Sequence, residues 1–159
     1  ARAEVVVKIP SDCPLIDPRL VGNMVREYSA SQATESPIDY LSNGLERTFP
    51  RGLDAEVFGF KILEIANAEA KETYQREHVT PFIYENPLRF RLRSYKNAVD
   101  LSNHRWTLDT PEDWEFLSAV FNALANRTPI TTQDVVAFLE SSPALLSTNA
   151  HVRQKGLRG

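Results

Sequence analysis

The run Val5-Val6-Val7-Lys8-Ile9 constrains this chain more than any other stretch. β-Branched side chains favour extended backbone, and a continuous run of them has the pattern of a strand buried on both faces. Such strands belong to parallel sheets, so the run predicts an α/β domain. Directly after it come Ser11-Asp12-Cys13-Pro14-Leu15-Ile16-Asp17-Pro18. Asp17 suits a helix N-cap and Pro18 the first helical position, which leaves Asp12 free at the strand's carboxyl end. Ligands of open α/β sheets bind outside the carboxyl ends of the strands. A carboxylate there can hold a divalent cation against a phosphate.

The same design returns in Arg105-Trp106-Thr107-Leu108-Asp109-Thr110-Pro111-Glu112-Asp113. Residues 105–109 read as a strand and Thr110 with Asp113 as a capping pair, so Asp109 is again left over. Glu112 and Asp113 read as first-turn acids favoured by the helix dipole. The spacing of Trp114, Leu117, Phe121 and Leu124 predicts the inward face of that helix. Two strand-end aspartates suit Mg²⁺, which takes oxygen ligands from one or two carboxylates and from substrate phosphates.

Between these ends the chain alternates elements and irregular stretches. Leu20, Val21, Met24, Val25 and Tyr28 share a helix face, 38–41 and 55–58 read as short strands, and 60–71 as a helix on Leu63, Ala66 and Ala70. A short helix is expected through Phe82-Ile83-Tyr84. Residues 89–95 alternate, with Phe90 and Leu92 on one side and Arg89, Arg91 and Arg93 on the other, as in a half-buried strand with a basic outer face. A last helix is expected over about 132–141, then a polar tail. Residues 42–54 are rich in turn formers and mixed charge, and long loops of this kind in compact domains are usually functional or disordered.

Size and charge narrow the classes. The 159 residues amount to a single domain, with residues 142–159 as its tail. A formal net charge of −3 argues against a general nucleic-acid binder. Cys13 is the only cysteine, which excludes a disulfide framework and a thiolate metal cluster and fits a cytoplasmic setting. No apolar run approaches the roughly 20 residues of a membrane helix. The chain begins at Ala1 rather than Met, and a strand buried on both faces needs two neighbours. The expectation is therefore that the N-terminal part of a larger domain is missing.

Several further residues carry chemistry with a plainer alternative beside it. Gly52 allows backbone to approach a ligand, and Asp54 and Glu56 lie two apart on one strand face; solvated carboxylates on an edge strand would look the same. His78, beside Glu77, can donate a proton or serve as a structural histidine. Arg47, Arg51 and Arg105 can grip a carboxylate or phosphate bidentately, or lie on the surface. Cys13 before a proline reads as a small buried filler.

The segments 11–18, 47–58 (Arg-Thr-Phe-Pro-Arg-Gly-Leu-Asp-Ala-Glu-Val-Phe), 76–83 (Arg-Glu-His-Val-Thr-Pro-Phe-Ile) and 105–113 together resemble cytidylyltransferases of the spore-coat polysaccharide type. These are relatives of the synthetases that activate sialic acid and 3-deoxy-manno-octulosonate. The tail from Asn149 to Leu157 resembles the end of such chains. The resemblance implies a nucleotide-diphospho-sugar transferase (Rossmann-like) fold, with a mixed, mainly parallel sheet and flanking helices. It implies transfer of CMP from CTP to a sugar acid or related sugar with release of pyrophosphate. By the same resemblance Asp12 and Asp109 are the catalytic Mg²⁺ ligands. Asn43, Arg47, Pro50, Gly52, Asp54 and Glu56 fall at the acceptor sugar, with His78 and Arg105 in reach. A homodimer is expected, with no nucleic-acid or membrane partner.

The family's glycine-, arginine- and lysine-rich phosphate loop has no counterpart here, so the chain is expected to correspond to the metal and acceptor side and to be inactive alone. The alternatives are a metal-dependent glycosyltransferase of the related fold and a catalytically inert oligomerisation fragment. The first usually carries Asp-x-Asp at a strand end, where this chain has Asp12-Cys13-Pro14.

Overall fold

The computed structural model describes residues 3–154 and Gly156. Ala1, Lys155 and Leu157, on which parts of the terminal readings rest, lie outside the described residues. Four strands form one mixed sheet in the order β1-β3-β2-β4: β1 (Val5–Lys8), β2 (Tyr40–Ser42), β3 (Glu56–Gly59) and β4 (Leu92–Ser94). β3 runs antiparallel to β1 and to β2, while β2 and β4 are parallel. Among the described residues six α-helices flank the sheet: α1 (Pro18–Ser31), α2 (Phe60–Glu69), α3 (Thr73–His78), α4 (Pro81–Tyr84), α5 (Pro111–Ala123) and α6 (Thr132–Ser141).

Each face of the two central strands feeds its own core. Leu41 and Val57 pack with Met24 of α1, Trp106, and Phe116 and Val120 of α5, all fully or almost fully buried. Tyr40 and Phe58 point the other way, against Ala66 of α2, Ile83 of α4 and Phe90. Burying one such apolar side chain contributes about 1.5–3 kcal/mol, so both layers are strongly held.

Caps set the starts of α1 and α5 as expected, and a further one sets that of α6. Asp17 accepts from the Arg19 amide at 2.8 Å. Its second oxygen accepts from the backbone N and hydroxyl of Thr132, each at 2.8 Å, which ties α1 to the first turn of α6. Thr110 with Asp113 and Thr131 with Asp134 form reciprocal capping boxes.

Three expectations are corrected. β1 is an edge strand paired antiparallel to β3, with Val5 and Val7 more than a third exposed, and not a buried central parallel strand. An apolar run states what a strand could bury; it does not supply the neighbour. Residues 105–109 form no strand: they make one parallel bridge, Arg51 to Arg105, and otherwise run as extended chain. On α5 the buried stripe is Asp113, Phe116, Leu117 and Val120, while Trp114 is 65 % and Phe121 40 % exposed. The ionic contacts of Asp113 turn the helix by about one residue from the purely apolar choice.

The alternating segment shortens to Leu92–Ser94. Its arginines are exposed, and each faces a carboxylate: Arg89 with Glu69, Arg91 with Asp39, Arg93 with Glu27.

Candidate functional site

A cleft of about 840 Å³ opens where the ends of β1, β2 and β3 meet the 10–12 turn, the loop after β2 and the α3–α4 corner. Asp12, Arg47, Asp54, Glu56 and His78 line it, together with Arg51. The structure thus gathers half of the predicted site residues from three separate stretches of the chain, at 12, 47–56 and 78.

The loop between β2 and β3 is built from inside. Asn43, 1 % exposed, donates from Nδ2 to the Leu53 carbonyl at 2.6 Å and accepts from the Ala55 amide at 2.9 Å. Pro50 is buried, and its carbonyl accepts from the Leu53 amide to close a turn. Gly52 sits at φ +102° against the backbone of Trp106 and Thr107. These three candidates shape the loop and do not line the cleft; the close approach at Gly52 is to the chain itself.

Arg47 and Asp54 meet at 2.5 Å, and the other oxygen of Asp54 accepts from the Gly52 amide at 2.9 Å. Nη1 of Arg47 is buried without a hydrogen-bond partner. The Arg51 side chain has neither hydrogen bond nor ion pair among the described residues. Burial, and then the Arg47 cation, hold its pKa below the usual guanidinium range, against the opposing pull of Asp54. Two guanidinium groups therefore reach the cleft with donors to spare.

Across the floor, Lys8 Nζ bridges Glu56 at 2.9 Å and the Thr80 hydroxyl at 3.1 Å. The second oxygen of Glu56 is buried and unpartnered. Tyr40 lies beneath, its phenol pushed well above the usual range by burial and by the Glu56 charge. His78 ends α3, and its carbonyl accepts from the Thr80 amide at 2.8 Å. Sequence reasoning missed Lys8, Tyr40, Thr80 and the lack of a partner at Arg51. A lysine inside an apolar strand run was the one local signal available.

The 105–109 segment joins the two halves of the site. Trp106 N donates to the Arg51 carbonyl, while Thr107 Oγ1 and Leu108 N donate to the Asp12 carbonyl at 3.1 and 2.9 Å. Arg105 grips Asp113 through two nitrogens at 2.9 and 2.7 Å and reaches Asp109 at 2.8 Å and Gln154 at 2.7 Å. Asp113 also accepts from Asn149 at 2.8 Å. Arg105 and Asp109 therefore stand behind the cleft wall, and Gln154 is the member of this network that lines the cleft.

As a cation site, the donors are modest. The Asp12 carboxylate has a weak partner in Cys13 Sγ at 3.5 Å, and Asp109 spends one oxygen on Arg105. Among the described residues no group of three or more His, Cys, Asp or Glu side chains gathers for a metal. Asp12 lines the cleft and Asp109 does not, so the two carboxylates form no protein cage; a cation held here would have to take most of its shell from water and phosphate oxygens, as Mg²⁺ does.

Cys13 is 5 % exposed, and its thiol is pushed up to about 12 by burial and by the Asp12 and Asp54 charges, outweighing a backbone hydrogen bond at Asp54. It is filler, as expected. At pH 8 its alkylation by iodoacetamide, followed by mass spectrometry, is expected to be slower than that of free cysteine by roughly a hundredfold or more, because the thiolate is the nucleophile.

The fold is an α/β domain, a mixed sheet with helices on both faces and a charged cleft at its strand ends. Residues 1–142 match the family described as cytidylyltransferase, and the chain belongs to that family. A cytidylyltransferase structure from Leptospira borgpetersenii superposes with a TM-score of 0.84 at 29 % identity, covering 96 % of this chain and 61 % of that one. An uncharacterized protein of Methanocaldococcus jannaschii is 35 % identical over 98 % of this chain and 61 % of its own length. Spore coat polysaccharide biosynthesis protein SpsF of Bacillus subtilis is 25 % identical over 89 % of this chain and 57 % of its own length. The chain thus spans about three-fifths of the curated relatives it matches. Among the described residues no helix is long and apolar enough to cross a membrane.

Proposed function

We propose that this chain forms the metal and acceptor side of a cytoplasmic enzyme that transfers CMP from CTP to an anionic sugar such as a sugar acid. The observation that carries the reading is the pair Arg47 and Arg51, which brings unpaired guanidinium donors into a cleft that Asp12 also lines. Donors of this kind suit a carboxylate, which a guanidinium binds through two parallel N–H bonds. The unpartnered Glu56 oxygen beside them suits a sugar hydroxyl. In the reaction an acceptor oxygen bonds to the α-phosphorus of CTP, the bond to pyrophosphate breaks, and the acceptor proton leaves. Asp12 and Asp109 would hold Mg²⁺, which supplies neutralisation of charge on the phosphate oxygens. The chain's own part is to fix the acceptor with Arg47, Arg51 and Glu56 and to keep the Arg47–Asp54 pair rigid through Asn43 and Gly52. His78 and Gln154 border the same space. A homodimer belongs to this proposal; the apolar hollow of about 340 Å³ between α2 and α3, bordered by Phe60, Leu63 and Val79, offers it a surface.

Calorimetric titration tests the assignment with Mg²⁺·CTP, sialic acid, 3-deoxy-manno-octulosonate and a UDP-sugar as ligands. Arg51→Ala is expected to weaken a sugar acid by about tenfold, the loss of one charged hydrogen bond, and to leave Mg²⁺·CTP unchanged. Asp12→Asn is expected to remove the Mg²⁺ dependence of CTP binding and spare the acceptor. Selective loss of CTP binding in Arg51→Ala would overturn the acceptor assignment. Preference for the UDP-sugar would indicate a glycosyltransferase, and binding of no ligand an inert fragment.

A further inference from the structure

Three guanidinium groups converge at the cleft, and one of them is covered. Arg47 and Arg51 line it, the first with Nη1 buried and unpartnered. Arg105 stands directly behind Arg51: the two residues form a parallel backbone bridge, with Trp106 N donating to the Arg51 carbonyl at 2.6 Å. Burial, then the Arg47 and Arg105 cations, hold the Arg51 pKa down against Asp54 and Asp109. Like charges near enough to act on one another in a partly buried site favour an anion between them.

The partners of Arg105 are unequal. Asp113, fully buried, takes Nε and Nη2, and Asp109 takes Nη2 at 2.8 Å. Both are carboxylates. Nη1 is left to the side-chain oxygen of Gln154, an exposed residue, at 2.7 Å. A neutral amide lacks the Coulomb attraction that a carboxylate adds, so this is the weakest of the contacts. The tail itself is fixed further back. Asn149, 2 % exposed, donates to the Arg105 carbonyl at 2.9 Å and to Asp113 at 2.8 Å, and its own carbonyl accepts from the Val152 amide at 3.1 Å. Gln154 can leave Arg105 while residues 149–152 stay anchored.

Resting on the reading that this cleft holds an anion, we propose that Gln154 is a displaceable plug on Arg105. A ligand oxyanion, carboxylate or phosphate, takes Nη1 from the glutamine and binds between Arg51 and Arg105. The site then has two states: one in which the tail covers the third guanidinium, and one in which the ligand holds it and the Gln154 side chain is released. The plug selects as well as covers. An oxyanion outcompetes a neutral amide on a guanidinium, whereas a neutral hydroxyl gains nothing by the exchange. Displacing the plug also lowers the affinity of the ligand that succeeds, because the competent state is only part of the population.

Calorimetric titration of the wild type, Gln154→Ala and Gln154→Glu decides the point, with sialic acid and pyrophosphate as separate probes. Gln154→Ala removes the plug and is expected to bind the oxyanion about threefold to tenfold more tightly. Gln154→Glu sets a carboxylate on Arg105 and is expected to bind it about tenfold more weakly. The opposite signs separate a plug from a contact, since a glutamine that touches the ligand loses affinity in both variants. Melting temperatures should stay within about 2 °C of the wild type, as for other exposed positions. A response with sialic acid puts the acceptor carboxylate between the arginines. A response with pyrophosphate alone puts a phosphate there, which sinks the acceptor assignment and keeps the plug. Weaker binding by Gln154→Ala, equal affinities in the three proteins, or a wild type that binds neither probe would overturn the plug.

Discussion

Gly52→Ala is expected to lower the melting temperature by about 10 °C and to empty the cleft of its ligand-binding capacity. An added Cβ would stand 2.4 Å from Thr107 N and from the Trp106 carbonyl carbon, and both are backbone atoms held by buried neighbours. The φ of +102° is a region that side-chain-bearing residues avoid, at about 1–3 kcal/mol. Overpacking against backbone adds about 1–3 kcal/mol more. Together these give roughly 2–6 kcal/mol, and a domain of this size loses about 2–4 °C per kcal/mol. The effect on the site is larger than on the fold, because Gly52 lies between Arg51 and Asp54 and its amide holds the Asp54 carboxylate. Gly156→Ala is the control, since nothing lies within 4 Å of a Cβ there. Thermal denaturation and titration of both variants decide the point; a Gly52→Ala protein that melts with the wild type would show that this close approach relaxes freely.

Legibility in the sequence followed the range of the physics. Caps act over three or four residues, and the starts of α1 and α5 were readable from Asp17-Pro18 and Thr110-Pro111. The α/β class was also readable, because short apolar runs alternate with 3.6-residue periodicity, whereas the mixed sheet with flanking helices came with the family resemblance. Pairing was not. Whether Val5–Lys8 has one neighbour or two depends on chain elsewhere, and its residues are the same in either case. On α5 the choice between Trp114 and Phe116 as the inward aromatic was decided by Asp113, which is drawn inside by Arg105 and Asn149. Periodicity counts a carboxylate as polar and turns it outward.

The candidate site divides along the same line. Arg47, Asp54, Glu56, His78 and Asp12 reach one cleft, where residue type and chemistry agree. Asn43, Pro50 and Gly52 share the segment and hold it in shape instead. Turn formers look alike whether they meet a ligand or their own chain. Arg51 stands out only once the partners of Arg47 and Arg105 are known, because a lone cation is defined by what the others have taken.

Asp113→Asn is expected to cost about 3–5 kcal/mol, the usual loss when one partner of a buried ion pair is removed. Asp113 is fully buried, and it accepts from Arg105, from Asn149 and from the amides of Asp109 and Thr110. An asparagine keeps one acceptor and places an NH₂ against a guanidinium, so Arg105, whose side chain is 9 % exposed, is left with Asp109 as its counter-charge. The pH dependence distinguishes this from a simple packing loss. Burial raises the Asp113 pKa, but the Arg105, Asn149 and backbone donors outweigh it, and the net shift is downward from the ordinary carboxylate value. A group whose pKa falls on folding stabilises the protein above its unfolded pKa, about 4 for aspartate, and that stabilisation is lost as pH falls through the folded value. Urea melts of the wild type between pH 6 and pH 3 should therefore show stability falling below about pH 4, and Asp113→Asn should flatten that fall. Equal acid slopes in the two proteins would mean that other carboxylates carry it. Asp109 reports on the same network from outside: Asp109→Asn leaves the Arg105–Asp113 pair intact, so it should cost at most about 1 kcal/mol, as a partly exposed ion pair does, while changing Mg²⁺ dependence if it is a ligand.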